Sequence, residues 1–136
     1  MAQPRFLPDP EQAVIDKLTP AVGVTVSTRE PVPRPARYLR VFRIDAATNR
    51  VPVHETITLT VEAWHKSLES AALALAQTAR QELSRWGWEK AQTLTSEGQT
   101  ARIVSVTPAS GPINLPSTDG WARYTFNVVL VTTITI

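Results

Sequence analysis

The stretch "RYTFNVVLVTTITI", residues 123–136, decides how this chain folds. After Arg123 it contains no charged residue, no glycine and no proline. Side chains of a β-strand alternate between two faces, and this stretch separates into an apolar face and a mixed threonine and valine face. The two faces are Tyr124, Phe126, Val128, Leu130, Thr132 and Ile134 on one side, and Thr125, Asn127, Val129, Val131, Thr133 and Thr135 on the other. We predict a strand whose apolar face lies beneath a helix.

The same stretch carries none of the features that protect an exposed strand edge. Lysine, proline and β-bulges normally blunt such edges, and long uncharged β-favouring segments otherwise aggregate. We therefore expect an inner strand or a strand that a neighbouring subunit covers. At the sequence level this pattern favours self-assembly.

The clearest helix is predicted at residues 67–86, in "SLESAALALAQTARQELSRW". Ser67 is the expected N-cap, and Gly87 is the expected C-terminal stop. Apolar residues recur at spacings of three and four, which places them on one stripe that faces the core. The stripe consists of Leu68, Ala72, Leu75, Ala79, Leu83 and Trp86. Its small alanines allow close packing against a sheet.

The remaining elements are shorter. "PDPEQAVIDKL" predicts a helix that Asp9 caps, that Pro10 begins and that ends before Pro20. Strands are predicted in "VGVTVST" (22–28), "RYLRVFRID" (37–45), "HETITLTVEAW" (54–64) and "ARIVSVTP" (101–108), the second and third forming a hairpin with a loop of roughly eight residues. This order indicates one α+β domain over residues 1–136: a mostly antiparallel sheet with one long helix on a face and a short N-terminal helix.

The sequence contains no pattern for catalysis or for metal binding. There is no cysteine, and no nucleophile elbow, phosphate-binding loop or dinucleotide fingerprint is present. His54 and His65 flank a predicted strand and would lie roughly 36 Å apart, at 3.3 Å per residue. We therefore predict no enzyme activity, no cofactor and no metal site. With no apolar run of membrane-spanning length and no leader, we also expect no membrane association and a soluble product that is made and used in the cytoplasm.

Five arginines surround a proline-rich segment. Pro31, Pro33 and Pro35 favour an extended, stiff loop over residues 29–37. The arginines are Arg29, Arg34, Arg37, Arg40 and Arg43. Three interpretations remain open for them: a solvated loop and strand start, an ion-pairing surface for a neighbouring subunit, and nucleic-acid contact. The net charge of +2 does not by itself indicate nucleic-acid binding. Arg40 and Arg43 must point to opposite faces of their strand.

The four tryptophans divide into core and surface candidates. Trp86 continues the buried helix stripe, and Trp64 ends a strand; both are expected in the core. Trp88 either covers a sheet edge or faces a partner. Trp121 follows Gly120 in a loop over residues 108–121, which is a second candidate contact segment, and Trp121 is an interface candidate.

With these elements in order, the chain resembles the tail terminator proteins of long-tailed bacteriophages. The likeness covers about residues 6–136. It consists of the short helix "PDPEQAVIDKL", the strand "VGVTVST", the loop "EPVPRPARY", the hairpin strands, the alanine-rich helix at 67–86 and the closing strand. It lies in the order and character of the elements, because the family has no short signature.

The resemblance implies a structural virion protein. Tail terminators form a hexameric ring on the last ring of the tail tube, stop tube growth and present a joining surface to the head–tail connector. The implied partners are other copies of the chain, the tail tube protein and the connector or stopper protein. DNA only passes through the ring lumen, and the implied location is the head-proximal end of the tail.

Two other classes of protein fit the same sequence. One is another head–tail joining protein, such as a neck or head-completion component, or a tail-tube-like subunit that would form long tubes on overexpression. The other is a small α+β binding module of a host cell, whose gene would not lie beside genes for tube and connector proteins.

Overall fold

A computed structural model describes residues 7–44 and 54–134 of the chain. Within these ranges lie two helices and seven strands. The elements are α1 (Pro10–Val22), β1 (Thr25–Ser27), β2 (Arg37–Arg43), β3 (Glu55–His65), α2 (Glu69–Trp88), β4 (Thr93–Ser96), β5 (Gln99–Pro108), β6 (Ile113–Asn114) and β7 (Ala122–Ile134). The α+β class predicted from the sequence is confirmed. The turn predicted between the hairpin strands falls largely outside the described residues.

The closing strand is the centre of the sheet. The strand order is β1-β2-β3-β7-β5-β4, with β6 also paired to β7. β7 pairs with β3 along eleven residues on one side, and with β5 and β6 on the other, all antiparallel. Only β1 and β2 run parallel to each other. Because β7 is an inner strand, the fold of one copy explains its lack of protective residues, and that lack no longer argues for assembly.

Both helices cover one face of the sheet. Phe126, Val128 and Leu130 are buried on this face, as the alternation in β7 predicts. They pack in one core with α1 and with Leu75, Ala79, Leu83 and Trp86 of the α2 stripe. Leu68 was predicted on the same stripe but is 56% exposed, because it lies at the N-cap position before the first turn of α2. The opposite face of β3 and β7 carries half-buried threonine and valine side chains. The main hydrophobic core therefore lies between the helices and this face of the sheet.

The start of α2 differs from the prediction. Leu68, not Ser67, occupies the N-cap position, and no side chain caps it. Instead the Nδ1 atom of His65 accepts hydrogen bonds from the backbone N–H groups of Ser67 and Leu68, at 3.2 and 3.0 Å. The histidine at the end of β3 thus satisfies donors at the strand-to-helix turn, which is a structural role.

Gly87 does not end α2 as predicted, because the helix continues to Trp88. A Cβ atom at position 87 would lie 2.8 Å from the backbone nitrogen of Val106. Glycine is therefore required here for close packing of the helix on β5. It is α1, and not α2, that ends at a glycine in the left-handed conformation: Gly23 has a φ of 69°.

Three shorter predictions are also corrected. Pro20 lies inside α1 rather than beyond it, and the helix ends three residues later at Gly23. Val22 consequently belongs to α1, so the strand predicted at 22–28 shrinks to β1. The polar stretch before β5 forms β4, which a two-residue turn of Glu97 and Gly98 joins to β5, both residues having positive φ. Asp9 and Pro10 begin α1 as predicted, with Asp9 Oδ1 accepting from the Gln12 N–H.

Candidate protein-interaction site

The proline-rich segment forms a loop that is fixed to the body of the protein. We call residues 28–36, between β1 and β2, the proline loop. At its start, Arg40 Nε donates to the carbonyl oxygen of Thr28 at 3.3 Å. At its end, the Lys66 N–H donates to the carbonyl oxygen of Ala36 at 2.8 Å. Both ends are therefore anchored to the β2–β3 hairpin and the residues that follow it.

Arg34 anchors the middle of the proline loop. Its Nη1 atom lies 2.8 Å from Asp119 Oδ2, and it also forms an ion pair with Glu30. Its guanidinium carbon lies 4.6 Å from the ring centroid of Trp121 and 5.5 Å from that of Trp64. Cation–π contacts at such distances add to the attraction between the charges. The two loops predicted as separate contact segments are thus bound to each other.

Tyr38 extends this arrangement beneath the loops. Its ring stacks on Trp64 with centroids 5.9 Å apart, and it contacts Trp121 in a tilted arrangement at 6.0 Å. Tyr38 is fully buried, and burial raises the pKa of its phenol. Trp64 is buried as predicted. Trp121 is half-buried and packs within the same chain, and its role as an interface residue stays a prediction.

The Asp119 carboxylate is strongly stabilised in its charged form. The Ser117 hydroxyl donates to it, Arg34 donates at 2.8 Å and the Trp121 backbone N–H donates at 3.1 Å. These three donors lower the pKa of Asp119 to about 2. The ion pair that closes the proline loop onto the second loop is therefore fully charged near neutral pH.

A second ionic cluster lies on the helix-free face of the sheet. Glu62 is only 7% exposed, and one of its oxygens accepts from Arg40 Nη1 at 3.0 Å and from Trp64 Nε1 at 3.3 Å. Its other oxygen lies 3.5 Å from Arg123 Nη1. Arg43 points to the opposite face, as predicted, and pairs with Glu55 at 3.2 Å. Arg40 and Arg43 therefore form ion pairs within this chain, and their contact with a neighbouring subunit stays a prediction.

The other two arginines of the row remain at the surface. Arg29 and Arg37 are exposed, and no ion pair of either is found within residues 7–44 and 54–134. The five arginines hence do not form one basic stripe. Two of them are available for a partner, and three act within the fold.

The fixed proline loop presents an apolar residue to solvent. Val32, at the loop tip, is 92% exposed and lies between Pro31 and Pro33. We did not predict this residue; the signal was a valine flanked by prolines in an otherwise polar segment. Val32 therefore buries little apolar surface in one copy of the protein, and the anchored loop holds it in a defined position.

Trp88 is the second exposed apolar point, with 75% of its surface accessible. It lies at the end of α2 beside a shallow groove lined by Gln77, Arg80, Gln81 and Ser84. Arg80 Nε is buried without a hydrogen-bond partner among the described residues. This exposed position agrees better with a Trp88 that faces a partner than with one that covers a sheet edge. Trp86 is fully buried, as expected.

No protein-family model matches the chain, and no curated protein matches it. Within the described ranges, no group of three or more His, Asp or Glu side chains could hold a metal ion. Neither α1 nor α2 has both the length and the apolar character that crossing a membrane requires.

Proposed function

We propose that this protein is the tail terminator of a long-tailed bacteriophage: a ring, most simply a hexamer, that caps the tail tube, stops its growth and forms the joining surface for the head–tail connector. The proposal starts from the family resemblance of the element order. The observation that carries it further is the proline loop, which holds Val32 in solvent at a fixed position. Such a loop suits a protein whose work is to bind other proteins.

Pre-organisation explains why a fixed loop favours binding. A flexible loop loses conformational entropy when a partner orders it, whereas a loop held in place loses little. Here, Arg34, Arg40 and the Lys66 N–H fix the loop before any partner arrives. The exposed Trp88 adds a residue type that commonly dominates protein–protein binding.

Inhibition of tube growth tests this function. Tail tube subunits of the encoding phage are polymerised with increasing amounts of the protein, and tube lengths are measured by electron microscopy. A terminator acts at tube ends, so far less than one copy per tube subunit shortens the tubes. Unchanged tube length at every ratio, or shortening only at equimolar amounts through capture of free subunits, contradicts the proposal.

The protein alone provides the control for the nearest alternative. A tail-tube-like subunit polymerises into long tubes at high concentration, whereas a terminator forms rings or stays monomeric. Long tubes of the purified protein would therefore replace the terminator function with that of a tube subunit.

A further inference from the structure

We infer that the two end strands of the sheet, β1 of one copy and β4 of the next, pair with each other, so that the sheet continues from copy to copy around the ring. The inference rests on the proposed ring assembly and names the contact that builds it. It commits both edges of the sheet to one occupant, a second copy of this chain.

Both end strands have a free outer side. β1 and β4 stand at the two ends of the strand order, and no other strand within residues 7–44 and 54–134 pairs with the outer side of either. Their sequences, Thr-Val-Ser and Thr-Leu-Thr-Ser, contain no charge, no proline and no glycine. Of the usual protections of a sheet edge they have short length, three and four residues. The unguarded edges of this fold are therefore β1 and β4, and not the inner strand β7.

The free side of β4 presents backbone groups in a known direction. The Gln92 carbonyl oxygen accepts a hydrogen bond from the Ile103 N–H at 2.9 Å. In an antiparallel ladder, hydrogen-bonded and non-hydrogen-bonded pairs alternate, so the N–H and C=O groups of Thr93 and Thr95 point away from β5. The hydroxyl groups of Thr95 and Thr100 lie 3.2 Å apart, as suits a non-hydrogen-bonded pair, whose side chains are closer. A strand placed beside β4 would meet these backbone donors and acceptors.

The directions of the strands determine the type of pairing. β1 is parallel to β2, and each further neighbour in the order, through to β4, is antiparallel to the one before it. Four reversals return β4 to the direction of β1. A contact that continues the sheet into the next copy therefore sets β1 and β4 side by side as a parallel pair. Because this contact joins two different surfaces, it is heterologous and can close into a ring.

The alternation of side chains selects the register of the pair. Residues that lie beside each other in a sheet point to the same face, and Val26 and Leu94 both belong to the core on the helix side. The alignment of Val26 with Leu94 obeys this rule and also keeps all three residues of β1 beside β4. The resulting neighbours are Thr25 and Thr93, Val26 and Leu94, Ser27 and Thr95, Thr28 and Ser96, and Arg29 and Glu97.

The charges beyond the strands agree with this register. Arg29 and Glu97 are both exposed, and neither forms an ion pair with another residue in the described ranges. The register sets them side by side with opposite charge, which favours the contact. Asp9 and Asp16 of α1 line the same groove as Glu97, and Arg37, at the start of β2, is a second exposed cation near β1. The register follows from side-chain alternation alone, so the match of charges is a separate observation.

Disulfide cross-linking tests the register directly, because the chain has no cysteine of its own. Thr25 and Thr93 are exposed, and Cα atoms of neighbouring residues in paired strands are close enough for a disulfide. The variant with both Thr25→Cys and Thr93→Cys is oxidised at high protein concentration and run under non-reducing denaturing conditions. We expect a ladder of covalent oligomers that ends at the ring size and collapses to monomer on reduction.

Two controls separate this contact from other encounters between copies. Thr25→Cys combined with Thr78→Cys, an exposed position on α2, tests for random collision and should stay mostly monomeric. Thr93→Cys alone tests for a two-fold contact between two β4 edges and should also stay monomeric. Equal ladders from the two double variants, no ladder from the first, or a dimer from Thr93→Cys alone overturns the inference.

Exchange of the two charges is an independent measurement on a chain without cysteine. Arg29→Glu and Glu97→Arg should each weaken self-association several-fold in sedimentation experiments at low salt, since each sets like charges side by side. The variant with both substitutions restores an opposite pair and should recover association. Arg29→Glu combined with Glu69→Arg, at an exposed acid that begins α2, is the matched control and should not recover. Unchanged association in the single variants, or equal recovery in the two double variants, contradicts the register.

The outcomes also separate this contact from the proposed function. A ladder without tube capping leaves the contact and removes the terminator function. Capping without a ladder does the reverse.

Discussion

Arg34 joins two segments that are 85 residues apart in sequence through its hydrogen bond to Asp119. The sequence predicted the residue as an interface candidate but not its partners. Aspartate in a turn ordinarily has a local role, and Asp119 keeps that role through Ser117 and the Trp121 N–H. Only the folded chain brings it beside Arg34. The residue type therefore predicted that Arg34 has a role. What that role is depends on the contact with Asp119, which only the folded chain creates.

Loss of the Arg34 guanidinium should loosen the proline loop without unfolding the domain. Trypsin cleavage after Arg29 requires local opening of the loop, and the rate follows the population of the open form. We expect Arg34→Gln to accelerate cleavage at this bond several-fold, as measured by mass spectrometry of timed digests. Arg102→Gln, at an exposed position on β5, is the matched control and should leave the rate unchanged. Equal rates in both variants would show that Arg34 does not hold the loop.

The Asp119 ion pair should depend on pH in a defined direction. The folded pKa of about 2 lies below the ordinary value of 3.8, so the charged carboxylate favours the folded state above pH 4. That contribution is lost as the pH falls from about 4 towards 2. Urea denaturation should thus show a constant stability difference between the unsubstituted protein and Asp119→Asn from pH 5 to 7. The difference should shrink below pH 4, and a gap that stays constant down to pH 2.5 would contradict this account.

Glu62 compensates two guanidinium groups on the helix-free face of the sheet. Its removal leaves Arg40 and Arg123 without their shared carboxylate, and breaking a buried pair of this kind is strongly destabilising. We expect Glu62→Ala to lower the free energy of unfolding by about 2 to 4 kcal/mol, because the partly exposed arginines retain some hydration. Glu69→Ala, in the exposed first turn of α2, should cost less than about 1 kcal/mol. Equal losses in the two variants would contradict a central role for Glu62.

At the scale of elements, strong periodicity was the reliable signal. The alternation in β7 and the three-and-four spacing in α2 predicted both elements and the faces that they bury. Predictions from weaker patterns were wrong where packing or local hydrogen bonds determined the structure. β4 was missed because its four residues include three polar ones. The turn residue Glu97 is also not one of the Asn, Asp or Gly residues that typically take the positive φ of a two-residue hairpin turn. Ser67 was expected to cap α2, but the His65 side chain accepts the backbone hydrogen bonds at the start of the helix instead.

Gly87 shows how packing can outweigh helix propensity. Alanine is the better helix former by up to about 1 kcal/mol. A Cβ atom at position 87 would nevertheless lie 2.8 Å from Val106 N and 3.2 Å from Val106 O. We expect Gly87→Ala to destabilise the protein by about 1 to 3 kcal/mol, as measured by chemical denaturation. Gly111→Ala, where a Cβ meets no atom within 4 Å, is the control and should have little effect; a stabilised Gly87→Ala variant would refute the close contact.

At the scale of the whole molecule, fold class was predictable and strand order was not. Class follows from the sequence of helices and strands, whereas the pairing of β3 with β7 joins segments about 70 residues apart. The contacts within the candidate site likewise depend on how the strands pair. Arg40 meets Glu62, and Arg123 lies beside Trp64, because the registers of β2, β3 and β7 place them opposite each other. Without the register, five arginines in a row were compatible with three different functions.

The proposed function requires that this protein binds the end of a tail tube as a ring. Electron microscopy of purified tail tubes mixed with the protein, with the protein marked by a gold-labelled affinity tag, measures this most directly. We expect one ring on a single end of each tube and bare tube walls. Label along the walls, on both ends equally, or absent from the tubes altogether would contradict it.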